Sequence, residues 1–251
     1  MISMEQLEKL ARKSQTPLFP NIIREYFQHI FLERLYRDPQ ANQMLFKGGT
    51  ALRIVYGSPR FSEDLDFSIF GSPQAMVPAL VEGLLIRVLA GLEESGIKVE
   101  LGTKSQATSG GYFGTATLEL PGFVPLGIVL NVSSRQKEKV KGEVDVIAGD
   151  FTSTYTLIHL PQERLVEEKV FGALRERKKP RDFYDLYFMM RKGMLSAGQK
   201  KRLAVMREEI LQSAKKADFR RELGVFLPAD QQAIIRDFSK ILDGEMKRQL
   251  G

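Results

Sequence analysis

The chain of 251 residues contains no cysteine and only two histidines, His29 and His159. The first absence excludes disulfides and thiolate metal sites. The scarcity of histidine leaves little from which to build a histidine-rich zinc centre. No run of about 18 consecutive apolar residues occurs, so no membrane span is expected. The N-terminus lacks the basic-then-apolar pattern of a secretory leader, and the expected compartment is the cytoplasm. What is present is ordinary for a globular protein, with 43% hydrophobic and 27% charged residues. The length allows one large domain or two modest ones. Lysine and arginine number 37 against 31 acids, a formal charge of +6. The excess crowds the second half, in Arg175-Glu176-Arg177-Lys178-Lys179-Pro180-Arg181, Arg191-Lys192 and Lys200-Lys201-Arg202. Such runs are solvated faces in many proteins, but they also draw polyanions, either nucleic acid or a nucleoside triphosphate.

Helical spacing of apolar residues predicts helices over 3–13 and 19–37, a short helix from Thr50 to Tyr56, and a long one over about 74–94. Short strands are expected at 45–47 and 65–70. Segments 97–104, 112–120, 126–133, 141–148 and 155–160, rich in Val, Ile, Leu and Thr and broken by Gly and Pro, read as further strands. Beyond Pro161 the pattern is helical, with helices near 161–177, 181–191, 196–214 and 229–248 and a loop over 224–228. The change in character divides the chain into an α/β region, 1–160, and a helical region, 161–251. Two such regions are expected to face each other across a cleft.

Two motifs carry the chemistry. Lys47-Gly48-Gly49-Thr50-Ala51-Leu52 is a glycine turn opening a helix. Arg60-Phe61-Ser62-Glu63-Asp64-Leu65-Asp66-Phe67 sets two carboxylates one residue apart at the start of an extended run. Alternation along a strand turns Asp64 and Asp66 to one side while Leu65 and Phe67 face the core. Two carboxylates this close need a cation, and their oxygens suit a hard divalent ion such as Mg²⁺. The offsets exclude an EF-hand loop. A glycine turn can bring backbone N–H groups close to phosphate oxygens. Lys169 falls inside the apolar arc of its helix, formed by Leu165, Val166, Val170, Ala173 and Leu174, so it must snorkel to water or meet an anion. Asp182 and Asp185 share a helix face, and Asp182 also sits where an acid caps a helix N-terminus.

The two early motifs, together with Glu168-Lys169-Val170-Phe171-Gly172-Ala173-Leu174 and Lys179-Pro180-Arg181-Asp182-Phe183-Tyr184-Asp185-Leu186-Tyr187, resemble the AbiEii/AbiGii toxin family. That family belongs to the DNA polymerase β-like nucleotidyltransferases, and the likeness spans roughly residues 20 to 250. It implies a minimal nucleotidyltransferase fold, a mixed sheet flanked by helices, with a helical C-terminal domain completing the active-site cleft. It implies Mg²⁺-dependent transfer of a nucleotide from an NTP, in some members CTP or UTP, onto the 3′ acceptor end of tRNA, which blocks translation. It implies a toxin with a cognate antitoxin, or a part in phage defence. Asp64 and Asp66 would hold metal, and Gly48, Gly49, Thr50 and Ser62 would lie against the phosphates. Lys169 and Arg181 would bind the triphosphate, with Asp182 and Asp185 orienting Lys169 or the nucleotide. Arg175, Arg177, Lys178 and Lys179 would contact RNA. Polymerase-like sites often carry a third acid on a neighbouring strand. Three segments have that form, around Glu119, Asn131 and Asp145, and by order along the chain the middle one is expected there. That makes Asn131 a neutral ligand and leaves Glu119, Asp145 or a water as the base. Two other readings remain: a nucleotidyltransferase acting on a protein or small molecule, and a non-catalytic nucleic-acid-binding module.

Overall fold

Leu65, Phe67 and Ile69 are completely buried while Asp66 between them is only half-buried, and the strand they form lies at the centre of a mixed sheet. The computed structural model describes residues 2–135 and 138–251. The chain divides into two compact units, one of Met1–Gly57 with Phe61–Leu160, the other of Ser58–Arg60 with Pro161–Gly251.

The first unit is built on eight strands: β1 (Met44–Lys47), β2 (Leu65–Phe70), β3 (Lys98–Leu101), β4 (Gln106–Thr108), β5 (Gly111–Glu119), β6 (Leu126–Arg135), β7 (Glu143–Ile147) and β8 (Tyr155–His159). Their order is β3-β5-β6-β2-β1-β8-β7, with β4 paired to β5. The β2–β6 and β1–β8 pairs are parallel and the others antiparallel. Parallel neighbours need crossovers, and these supply two of the four flanking helices. The helices are α1 (Met4–Lys13), α2 (Ile23–Leu35), α3 (Gly48–Ile54) and α4 (Val77–Glu94). Segment Leu18–Ile22, with an extended backbone at Phe19, leads into α2. Helices α2 and α4 pack on each other; α2 also meets β6 and β8, and α4 meets β3 and β5. Segment Gln74–Glu94 is long and apolar enough to cross a membrane by length and composition. Its Val77, Val81, Leu84, Leu85, Val88, Leu89 and Leu92 are buried along one face, while Glu82 and Arg87 lie on the outside. That is the amphipathic pattern of a helix laid on a sheet.

The second unit is helical: α5 (Gln162–Val166), α6 (Arg175–Arg177), α7 (Pro180–Arg191), α8 (Ala197–Lys215), α9 (Phe219–Leu223) and α10 (Phe238–Leu250). Between α5 and α6 the backbone runs as a π-helix, Glu167–Leu174. An aromatic cluster ties α7, α9 and α10 together. Phe219 and Phe238 have ring centroids 4.6 Å apart, and Phe183, Tyr184 and Tyr187 stack around them. These rings therefore serve as core rather than as platforms for a base.

Most expected elements are found within a few residues of their sequence limits. The helix expected at Thr50 begins at Gly48. The stretch Ala229–Asp237, read as the start of a long helix, is 3₁₀ and turns α-helical only at Phe238. Strand β4 and helix α9 had no sequence counterpart. Each is five residues or fewer, too short to show a period.

Candidate active site

The acidic pair and its surroundings lie in the first unit. Strand β2 begins at Leu65, so Asp64 is the last residue of the preceding loop and Asp66 the second of the strand; both are half-buried. The β1–β2 register sets Lys47 opposite Asp66, and the β2–β6 register sets Asn131 opposite it. Side chains at paired positions share a face of the sheet. On that face the Asn131 amide donates to Asp66 Oδ1 at 3.1 Å. One step further along, the Lys47 ammonium donates to Ser133 Oγ at 3.1 Å, and Ser133 lies 2.8 Å from the Ser68 hydroxyl. The strand expected beside the acids is thus the one found there, and it carries Asn131. The amide nitrogen, not the oxygen, faces the carboxylate, so Asn131 orients Asp66 by hydrogen bond.

Gly48 explains why a glycine stands at the start of α3. Its φ is +84°, a left-handed value that costs other residues energy. A Cβ there would also fall 2.9 Å from Asp66 Cβ and Cγ and overlap its Oδ2. The glycine therefore makes room for the carboxylate itself. Gly49 is buried behind it. Thr50, expected to offer its hydroxyl to phosphate, is fully buried and donates instead to the main-chain carbonyl of Asp64 at 2.5 Å. Its hydroxyl braces the acidic loop.

Three side chains that sequence reasoning missed complete that brace. Gln28 of α2 is buried, and its amide donates to the carbonyls of Ser62 and Glu63, both at 3.0 Å. Arg53 of α3 makes a forked pair with Glu25 at 2.8 and 3.0 Å and lies 4.1 Å above the Phe61 ring. Glu25 and Gln28 are polar residues three apart on a helix whose other inward positions are mostly apolar, and that spacing was a readable signal. Ser62 itself is half-buried.

Neither alternative acid is near Asp66. Glu119 lies six residues along β5 from Phe113, the partner of Asn131, which is roughly 20 Å at the rise of a strand. It is paired to Lys98 at 2.8 Å. Asp145 is on β7, separated from β2 by β1 and β8, and bonds His159 Nε2 at 2.9 Å. Both are corrected as candidate bases.

In the second unit Lys169 meets one of the two expected carboxylates, Asp185. Asp185, on α7, is 1% exposed. Arg60 Nε and Nη2 reach its Oδ1 at 2.9 and 2.8 Å, Nη2 also reaches Oδ2 at 3.1 Å, and Lys169 Nζ donates to Oδ2 at 2.8 Å. Burial alone would raise this carboxyl's pKa, but Arg60 and Lys169 outweigh it and hold it below the usual range. Lys169 itself lies in the π-helical stretch, a geometry frequent at functional positions. Asp182 has other partners: Arg177 at 2.6 Å and the Lys179 N–H at 3.3 Å. It thus closes the start of α7, and Asp185 is the acid that meets Lys169. Lys178 is paired to Glu209 at 2.8 Å, Arg175 and Lys179 are exposed, and Arg181 is half-buried.

Among the described residues, no three His, Cys, Asp or Glu side chains gather to hold a metal. The donor set at Asp64 and Asp66 still fits Mg²⁺, which is commonly held by one or two carboxylates together with substrate phosphates and water.

A mixed sheet with paired acids at the start of a central strand, beside a glycine turn, is the architecture of the nucleotidyltransferases. MenT4, a nucleotidyltransferase toxin from Mycobacterium tuberculosis H37Rv, superposes with a TM-score of 0.65 at 15% identity, over 100% of this chain and 89% of that one. JHP933 from Helicobacter pylori gives 0.54 at 19% identity, over 99% and 96%. An antigenic nucleotidyltransferase-like protein from Paracoccidioides brasiliensis gives 0.50 at 16%, over 85% and 97%. At these identities the likeness speaks for the fold. No curated protein matches the chain. The family model described as "Nucleotidyl transferase AbiEii toxin, Type IV TA system" matches residues 30–249. The chain belongs to the AbiEii family of nucleotidyltransferase toxins.

Proposed function

We propose that this protein transfers a nucleotide from an NTP, with Mg²⁺, to the 3′ acceptor end of tRNA, and that it is a toxin counteracted by a cognate antitoxin. The observation that carries the proposal is the setting of Asp66: a carboxylate admitted by the missing side chain of Gly48, oriented by Asn131, and adjacent to Asp64 on a braced loop. In this reading Asp64 and Asp66 are the metal ligands. Bound Mg²⁺ would neutralise triphosphate charge and polarise the reacting oxygens. The chain's own part is positioning, which is most of what phosphoryl chemistry asks of a protein. The Gly48–Gly49 turn offers backbone N–H groups to phosphate oxygens, as Ser62 does its hydroxyl. Lys169, anchored on Asp185, and Arg181 hold the triphosphate and stabilise the leaving pyrophosphate. Exposed Arg175 and Lys179, with Arg177 and Lys178, attract the RNA backbone. The pyrimidine nucleotides CTP and UTP are the first donors to try. The site of action is the cytoplasm, where tRNA and NTP meet, and a defence against phage is a fitting context for such a toxin.

The test is incubation of the protein with each α-³²P-labelled NTP, Mg²⁺ and total RNA. Label in tRNA, lost in Asp64→Ala, Asp66→Ala and Lys169→Ala variants that remain folded, is the expected result. Label in protein or in a small molecule keeps the enzyme class and refutes the acceptor. Transfer or growth inhibition that persists in Asp64→Ala refutes the site.

A further inference from the structure

Arg60 lies four residues before Asp64 in the chain, yet it belongs to the second unit, where it is 3% exposed. So deep a guanidinium is badly placed to bind a substrate. Three short guanidinium contacts go to Asp185, which is itself 1% exposed, whereas Lys169 keeps 12% of its side chain open to solvent. The three groups form a ladder from buried to exposed, of charge +1, −1 and +1. A lone Lys169–Asp185 pair would be neutral as seen by an approaching anion. With Arg60 cancelling the carboxylate, the ladder as a whole is a single net positive charge, and its exposed end is Lys169. The ammonium has three donors, and Asp185 takes one of them.

We infer that Arg60 is a positioning residue for nucleotide binding: it neutralises Asp185, so that the carboxylate can anchor Lys169 without cancelling the positive charge that Lys169 offers to a triphosphate. The inference rests on the reading of Lys169 as a triphosphate ligand given above. It assigns a function to an arginine of the acidic motif that otherwise reads as part of a turn. It also explains why an arginine serves here. The guanidinium fork spans both carboxylate oxygens and leaves an edge of Oδ2 for Lys169, which a compact ammonium could not do as well.

The test is calorimetric titration of the full chain with inorganic tripolyphosphate and Mg²⁺, which needs no knowledge of the preferred base. Lys169→Ala is expected to weaken binding at least tenfold; if it binds as the wild type does, the reading of Lys169 fails and this inference with it. Given that control, Arg60→Gln is expected to weaken binding about tenfold or more, and Arg60→Lys to keep it within about threefold. The decisive variant is Arg60→Gln combined with Asp185→Asn. It removes both buried charges, keeps an amide oxygen to accept from Lys169, and restores the net +1, so binding is expected to return to within about threefold of wild type. A purely structural arginine predicts the opposite, since the double variant loses more native contacts than the single one. Wild-type binding in folded Arg60→Gln, or a folded double variant that binds no better than Lys169→Ala, overturns the inference while leaving Lys169 in place. If Arg60→Gln does not fold, the double variant and Arg60→Lys decide.

Discussion

Gly48→Ala is the sharpest test of how the acidic site is built, because two costs fall on one methyl group and can be separated. The first is conformational. At φ +84° an L-residue pays about 1–2 kcal/mol. For a chain of this size about 1 kcal/mol corresponds to roughly 2–4 °C in Tm. The second is steric. The new Cβ would sit 2.9 Å from Asp66 Cβ and Cγ, about 0.6–1.1 Å inside an ordinary carbon–carbon contact. The backbone of β2 is held by ladders on both sides, so the carboxylate must give way. A displacement near 1 Å at a reacting centre costs on the order of a hundredfold in rate.

Gly122 supplies the matched control. Its φ is also +84°, and a Cβ there would meet nothing within 4 Å. Gly122→Ala should therefore lose about the same stability as the conformational part of Gly48→Ala and nothing else. The assay is Tm by calorimetry alongside Mn²⁺ binding followed by electron paramagnetic resonance, with Asp66→Ala as the null for the metal. Both alanine variants are expected to melt a few degrees low, and only Gly48→Ala should lose metal affinity, approaching Asp66→Ala. A folded Gly48→Ala protein that binds Mn²⁺ as tightly as Gly122→Ala would refute the claim that this glycine exists to seat the carboxylate.

Two further outcomes are expected. Gln28→Leu leaves the Ser62 and Glu63 carbonyls without their donor and should cost roughly 2–6 kcal/mol at about 1–3 kcal/mol per unsatisfied group; urea denaturation measures it, and a loss below about 1 kcal/mol would show that the loop needs no such brace. His29, buried against Tyr155 and Phe151, has its pKa lowered from 6.5 to about 4, first by burial and then by Arg53. The folded form thus stays neutral where the unfolded chain takes a proton, so stability falls as pH drops from 6.5 towards 4, by roughly 3 kcal/mol in all. In His29→Gln the urea midpoint should fall less between pH 7 and 4.5 than in the wild type, and equal slopes would exclude His29 as the cause.

What could be read from the sequence is what local chemistry determines. Asp64 and Asp66 declare themselves by alternation with Leu65 and Phe67, and Asn131 by its place in the middle of three candidate strand segments. Lys169 stood out as a charge on an apolar arc. What could not be read depends on register and on approach between distant segments. Gly48 looked like a phosphate loop, but its missing side chain answers to Asp66, eighteen residues away, through the β1–β2 pairing. Thr50 looked like a phosphate donor and proved to brace a main-chain carbonyl, because α3 begins two residues earlier than its apolar pattern suggests. Asp182 could be read as a helix cap, but which of Asp182 and Asp185 meets Lys169 could not. Only the packing of α7 gives Asp185, and not Asp182, to Lys169. Arg60 carries no local signal at all, since its partner is 125 residues away.

The neutral residue at position 131 is the feature that makes these pieces consistent. A third carboxylate in its place would stand opposite Asp66 in register and, close to two others, would need either a proton or a resident cation to be tolerated. The amide donates to Asp66 instead and relieves one of the two charges with no ion bound. On the proposed function this leaves two anionic ligands for Mg²⁺, an ion that completes its shell with water and phosphate oxygens. The acids are therefore suited to a metal that arrives with its triphosphate, already carrying part of its shell.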